Sequence, residues 1–259
     1  MSSEKNGAAV NMLRYFRDSL IGRNAKGIVH NMNSPLQVLS MQIELLGMDL
    51  NQLASLPCDN QDLKKGLNQI IDRLGQLEGI VDKINHLVKL VGSRVYDEEQ
   101  DDEESPVMVS QLIDETVEFW KSDLFFKHKV DVKLSMPEIS PVVVSKEQYL
   151  KDAIDSILFG CIEMLKDANE PALGIEVSAN GETDIAISFR PQGVRFPVEK
   201  LGQATSLMET SSDQGSGCEI SLSPLDVAMA VAKMSIQKIG GDFTMKDDEV
   251  TVNLKAVTS

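Results

Sequence analysis

"GIVHNMNSPLQVLSMQIELL", Gly27 to Leu46, sets the reading of the whole chain. Apolar residues stand at Val29, Met32, Leu36, Leu39, Ile43 and Leu46, and the series continues at Leu50 and Leu53. The steps alternate three and four, which is the heptad seam of a helix packed along another helix. His30 falls one residue off that seam, so it is expected to point away from the packed interface. Pro35 has no N–H to return to the Asn31 carbonyl and its ring crowds that carbonyl, so a helix bend is expected just past the histidine.

Outward from this stretch, the helix is expected to run from about Asn11 to about Leu56. A turn at Pro57, Asp59 and Asn60 follows. A second helix then carries Leu63, Leu67, Ile70, Leu74, Leu77, Val81, Ile84, Val88 and Val91, again in steps of four and three. Two heptad helices joined by a short loop form an antiparallel hairpin. One hairpin leaves its seam half covered, and pairing two copies into a four-helix bundle buries the rest. A homodimer is therefore expected.

Next comes "YDEEQDDEESP", residues 96–106, with seven carboxylates. Like charges this dense resist compaction, which marks a solvated linker. Beyond Pro106 the elements become mixed. A helix is expected over Ser110 to Phe126, then strands "VDVKLS" and "PVVVS" and a long helix "KEQYLKDAIDSILFGCIEMLKDA". Strands "LGIEVSA" and "DIAISFR" follow, with Asn180-Gly181 as a hairpin turn signal. The helix "PLDVAMAVAKMSIQKI" stops at Gly240-Gly241, and "DFTMKDDEVTVNLKAV" closes the chain as a hairpin. The expected fold class is α+β, with a helical hairpin at 1–95, an acidic linker at 96–106 and an α/β sandwich at 107–259.

Composition narrows the function. The chain has 259 residues, 25 Lys and Arg against 40 Asp and Glu, and a net charge of -15. A polyanion would be repelled and no basic stripe overrides that, so nucleic acid is excluded as the expected partner. No window reaches the roughly 18 uninterrupted apolar residues that a membrane span needs. The first residues carry charges and no apolar core, so no secretory signal is expected. Cys58, Cys161 and Cys218 are scattered and odd in number, which fits a reducing cytosol and offers no metal site. His86 and His128 have no partners at metal-ligand spacing.

Around His30, the run "HNMNSPL" resembles the H-box of two-component histidine kinases, with His30, Pro35 and Leu36 in the matching places. The resemblance extends over nearly the whole chain: a helical dimerisation hairpin, a linker, then an α/β domain with that family's order of elements. It implies that His30 is the phosphoacceptor and that response-regulator receiver domains are partners. Met41, Leu45 and Met48 are then candidate receiver contacts. Asn31 stands where the family has an acid, and Ser34 where it has the Thr or Asn that orients a water. An amide oxygen at Asn31 can hold the Nδ1–H of the imidazole and leave Nε2 free to attack, but it cannot take up a proton.

The ATP-binding features implied by the family are altered. In "LKDAIDSILFGCIEM", Ser156 and Gly160 fall where two asparagines would hold magnesium and phosphates. In "IAISFRPQGVRFP", Pro191 replaces the Asp that takes the adenine amino group, Gly193 is kept, and Arg195 replaces the second glycine. Asp226 opens "DVAM" where a Gly-Leu-Gly-Leu start would meet phosphate. "DQGSGCE", Asp213 to Glu219, lies too far upstream of that helix to replace it. No bound nucleotide and no resident metal are therefore expected, with magnesium supplied by the receiver. The expected activity is a histidine phosphotransferase relay between receiver aspartates in the cytoplasm. The alternatives left open are a non-catalytic pseudokinase scaffold, a receiver phosphatase using Asn31 and Ser34, and an active sensor kinase.

Overall fold

The computed structural model describes residues 2–55, 60–92, 94, 104–180, 184–199, 204–205 and 223–256. Its fold class is the expected α+β. Two long helices lead, α1 (Ser2–Ser55) and α2 (Asn60–Gly92), the first starting well before the expected Asn11. By packing, the chain forms two compact units: residues 25–93, and residues 94–259 together with residues 1–24. The expected turn residues Pro57 and Asp59 lie outside the described residues.

Within the hairpin unit the heptad seam is divided into two series. Met32, Leu39, Leu46 and Leu53 on α1, and Ile70, Leu77, Ile84 and Val91 on α2, are half-buried. The other series is open: Val29, Leu36, Ile43 and Leu50 on α1, and Leu67, Leu74, Val81 and Val88 on α2, stand 41–55% exposed. Each open series repeats every seven residues, so it forms a continuous stripe along its helix. Arg73 of α2 reaches α1 beside the closed series, donating to Gln42 Oε1 at 3.2 Å and pairing with Asp49.

The α/β unit begins with a strand the sequence hides. β1 (Ser105–Met108) follows the acidic run and contains Pro106, a residue that argues for a loop. It is tolerated because β1 pairs only with β3 (Val142–Ser145), antiparallel, in a two-stranded ribbon. Residues 96–103 of the expected linker lie outside the described residues. The single helix expected over Ser110 to Phe126 is two, α3 (Val109–Trp120) and α4 (Leu124–Lys129). Asp123 makes the break, its side chain accepting from Phe126 N and so starting a new helix.

The main sheet has five strands in the order β2-β4-β5-β7-β6, with β2 at Asp131–Ser135, β4 at Ala172–Asn180, β5 at Asp184–Pro191, β6 at Asp242–Met245 and β7 at Val250–Lys255. β2 and β4 run parallel and the remaining pairs are antiparallel. Residues 181–183, at the expected Asn180-Gly181 turn, lie outside the described residues. Alternation puts Leu173, Ile175, Ile187, Phe189, Val250 and Val252 on the buried face. That face is covered by α5 (Glu147–Leu165) and α6 (Pro224–Lys238), which pack closely against each other. Polar side chains line the other face, where Arg190 bridges Glu176 and Glu249.

Candidate functional site

His30 is exposed on α1, as its place off the seam requires. At 100° per residue, Met41 and Met48 project within about 20° of His30 on the helix wheel, and roughly opposite the seam. Met41 and Met48 are 50% and 65% exposed, and Leu45 between them is half-buried. Ser34, one turn beyond His30, is exposed and Asn31 is half-buried. Pro35 lies inside α1, which continues unbroken as a helix on both sides of it. One helix thus presents the histidine, a hydroxyl and two methionines along one face. His86 and His128 are exposed as well.

The positions matched to an ATP site lie in the α/β unit. Ser156 is fully buried and its hydroxyl donates to the Asp152 carbonyl one turn back, at 2.6 Å. Gly160 faces the start of α6: a Cβ built there would overlap Met229 Cε and lie 2.9 Å from Leu225 Cδ1. Position 160 thus lies at a close helix crossing, where any larger side chain must displace Met229 and Leu225. Pro191 ends β5 buried, and Gly193 turns the chain after it with φ 78°. Arg195 is exposed beyond that turn.

Asp226 closes the N-terminus of α6. Its carboxylate accepts from Ser223 N at 2.9 Å and Ser223 Oγ at 2.7 Å, while Ser223 Oγ accepts from Asp226 N at 3.2 Å. This is a capping box, with Pro224 in the first turn. A helix N-terminus attracts an anion because its first N–H groups lack partners. Here the Asp226 carboxylate and the Ser223 hydroxyl cap that terminus reciprocally. "DQGSGCE" lies outside the described residues. Among the described residues, no group of His, Cys, Asp and Glu is placed to hold a metal ion.

Sequence reading missed a buried charged cluster on α5. Arg17 forms a two-pronged pair with Asp152, Nε to Oδ1 at 2.7 Å and Nη2 to Oδ2 at 2.6 Å. Three residues on, Asp155 accepts from Trp120 Nε1 at 2.8 Å and from Arg94 Nε at 3.1 Å. All five of these residues are buried. Burial pushes the Asp152 carboxyl above its ordinary value, against the pull of Arg17. The signal in the sequence was the pair of aspartates set among the apolar residues in the middle of this helix. Such groups stay buried only when paired.

No family model matches the sequence, and no curated protein matches it. Solved structures do resemble it. The mycobacterial sensor histidine kinase MprB aligns at 13% identity and TM-score 0.45, over 60% of this chain and 99% of that one. A catalytic domain of the histidine kinase ThkA aligns at 13% identity and TM-score 0.47, over 59% and 97%. A bacterial phosphotransferase aligns at 10% identity and TM-score 0.41, over 92% and 94%. Among the described residues, no helix is long and apolar enough to cross a membrane.

Proposed function

We propose that the chain is a histidine phosphotransferase of two-component signalling, relaying a phosphoryl group between receiver aspartates through His30 without binding ATP. The observation that carries this reading is a contrast between the two units. His30 is displayed on the same face as the exposed Met41 and Met48, while Ser223 and Asp226 cap the N-terminus of α6 and Gly160 packs against Met229 and Leu225.

The chemistry follows from the side chains. His30 Nε2 attacks the phosphorus of a receiver's aspartyl phosphate; the P–O bond to the carboxylate breaks and the carboxylate leaves. The proton already on Nδ1 stays there, so the phosphohistidine forms without a base. Asn31 is suited to this role, since an amide can orient Nδ1–H but cannot accept its proton. The reverse step delivers the phosphoryl group to a second receiver aspartate. Positioning does most of the work in such transfers, and magnesium is the receiver's to supply. Met41, Leu45 and Met48 are the proposed docking contacts on this face.

The hairpin works as a homodimer in this reading. The open heptad series on α1 and α2 is a stripe of apolar side chains that a second copy would cover, giving a four-helix bundle. Incubation with a phosphorylated receiver tests the function: wild type becomes labelled and His30→Ala does not. Equal labelling of the two would overturn it. Micromolar binding of Mg-ATP in isothermal titration would overturn the nucleotide-free part and favour a sensor kinase. A second reading, a receiver phosphatase, draws on the exposure of Ser34 one turn from His30. It requires receiver dephosphorylation that is lost in Ser34→Ala. A pseudokinase scaffold would keep its binding and its phenotype in His30→Ala.

A further inference from the structure

Residues 1–24 and 94–259 form one compact unit, so the chain leaves it after Asn24 and re-enters it at Arg94. Both of these places are fastened to the same helix. Arg17 is held by Asp152 through two hydrogen bonds, and Arg94 is held by Asp155. Ring contacts back each pair: Phe16 meets Phe159 edge to face at 5.8 Å, and the Arg94 guanidinium lies 4.1 Å from the centre of the Phe119 ring. Arg23 adds a third attachment, lying over the Phe159 ring and pairing with Glu163 and Asp123.

The geometry points to a latch: Asp152 and Asp155, one turn apart on α5, keep the first part of α1 and the Arg94 re-entry point folded onto the α/β unit. An exposed ion pair would not do this, because its partners exchange freely with water. These two pairs are buried, and releasing either arginine would leave a charged carboxylate without its partner away from water. A cavity of about 10 Å³, lined in part by Arg17, Arg94, Asp152 and Asp155, lies beside them. The helix that bears His30 is the helix the latch holds. The inference does not depend on the relay reading, because it concerns the anchoring of α1 and not transfer.

Hydrogen exchange on the full chain, followed by mass spectrometry, tests it. The amides of residues 15–24 should exchange as slowly as those of α5. In Asp152→Asn their exchange should rise on the order of a hundredfold, while β4, β5 and β7 change by no more than a few fold. Fast exchange of residues 15–24 in the wild type would overturn the latch, and so would unchanged protection in Asp152→Asn. Should Asp152→Asn fail to fold, Arg17→Lys keeps the charge and gives up the two-pronged geometry. Loss of protection confined to residues 15–24 in that variant supports the latch. Unchanged protection, or unfolding of both variants, overturns it, since the pairs would then belong to the common core.

Discussion

Gly160 stands against Met229 so closely that a Cβ on residue 160 would overlap the methionine's Cε. A glycine inside a helix normally costs about 1 kcal/mol relative to alanine. At this crossing that gain is set against a shift of Met229 Cε and Leu225 Cδ1, both the ends of flexible side chains. Gly160→Ala is therefore expected to change unfolding stability by no more than about 1 kcal/mol in either direction. Urea melts with an unchanged slope check it, and a loss above about 3 kcal/mol would show that Met229 cannot move aside. Ser156→Asn with Gly160→Asn should destabilise the chain and still bind no ATP.

The cap on α6 carries a second expectation. Asp226→Ala and Ser223→Ala should each cost about 1 kcal/mol, the usual effect of losing a helix cap. Since the two residues bond each other, the double variant should cost less than the sum. Thermal melts of the three variants measure this; strict additivity would show that the two side chains act independently.

The two faces of α1 should separate in function. Ile43→Asp on the open heptad series, or Val81→Asp on α2, is expected to convert the proposed dimer to monomer in analytical ultracentrifugation. Met41→Asp, on the His30 face, should leave the dimer intact and slow labelling by a phosphorylated receiver about tenfold or more, as expected for an interface anchor. A dimer that survives Ile43→Asp would place the seam elsewhere.

Glu163 gives a pH dependence. Burial alone would raise its carboxyl, but hydrogen bonds from Lys166 and Arg23 outweigh that and hold it below its ordinary value of 4.5. A carboxyl depressed in the folded chain adds stability that is complete above the unfolded value and fades as pH falls through the folded one. The stability difference between wild type and Glu163→Gln should be constant above about pH 6 and shrink below about pH 4.5. A difference that grows on acidification would reverse the assignment.

Cys161 is fully buried in α5, and burial pushes its thiol far above the ordinary range. The native chain should leave Cys161 unmodified by iodoacetamide at neutral pH, and guanidinium should expose it, with peptide mapping as the readout.

The seam was legible because heptad spacing is a local property of one helix, and the exposure of His30 followed from it. Which half of the seam stays open was not legible, since periodicity names a face and not what covers it. Gly160 could be read in the sequence, but its neighbour could not: it is Met229, on a helix far along the chain. Arg17 and Asp152 are separated by 135 positions, and nothing in the spacing of single charges pairs them. β1 was hidden by Pro106 and by the acidic run beside it, because the ribbon pairing that tolerates a proline exists only in the fold.

Pairing through the open heptad stripe would be two-fold, so each residue of that stripe would appear twice in the interface. A single substitution there is then felt at two places in the assembly. Side-chain shape along Val29, Leu36, Ile43 and Leu50 would therefore weigh twice on the choice of partner.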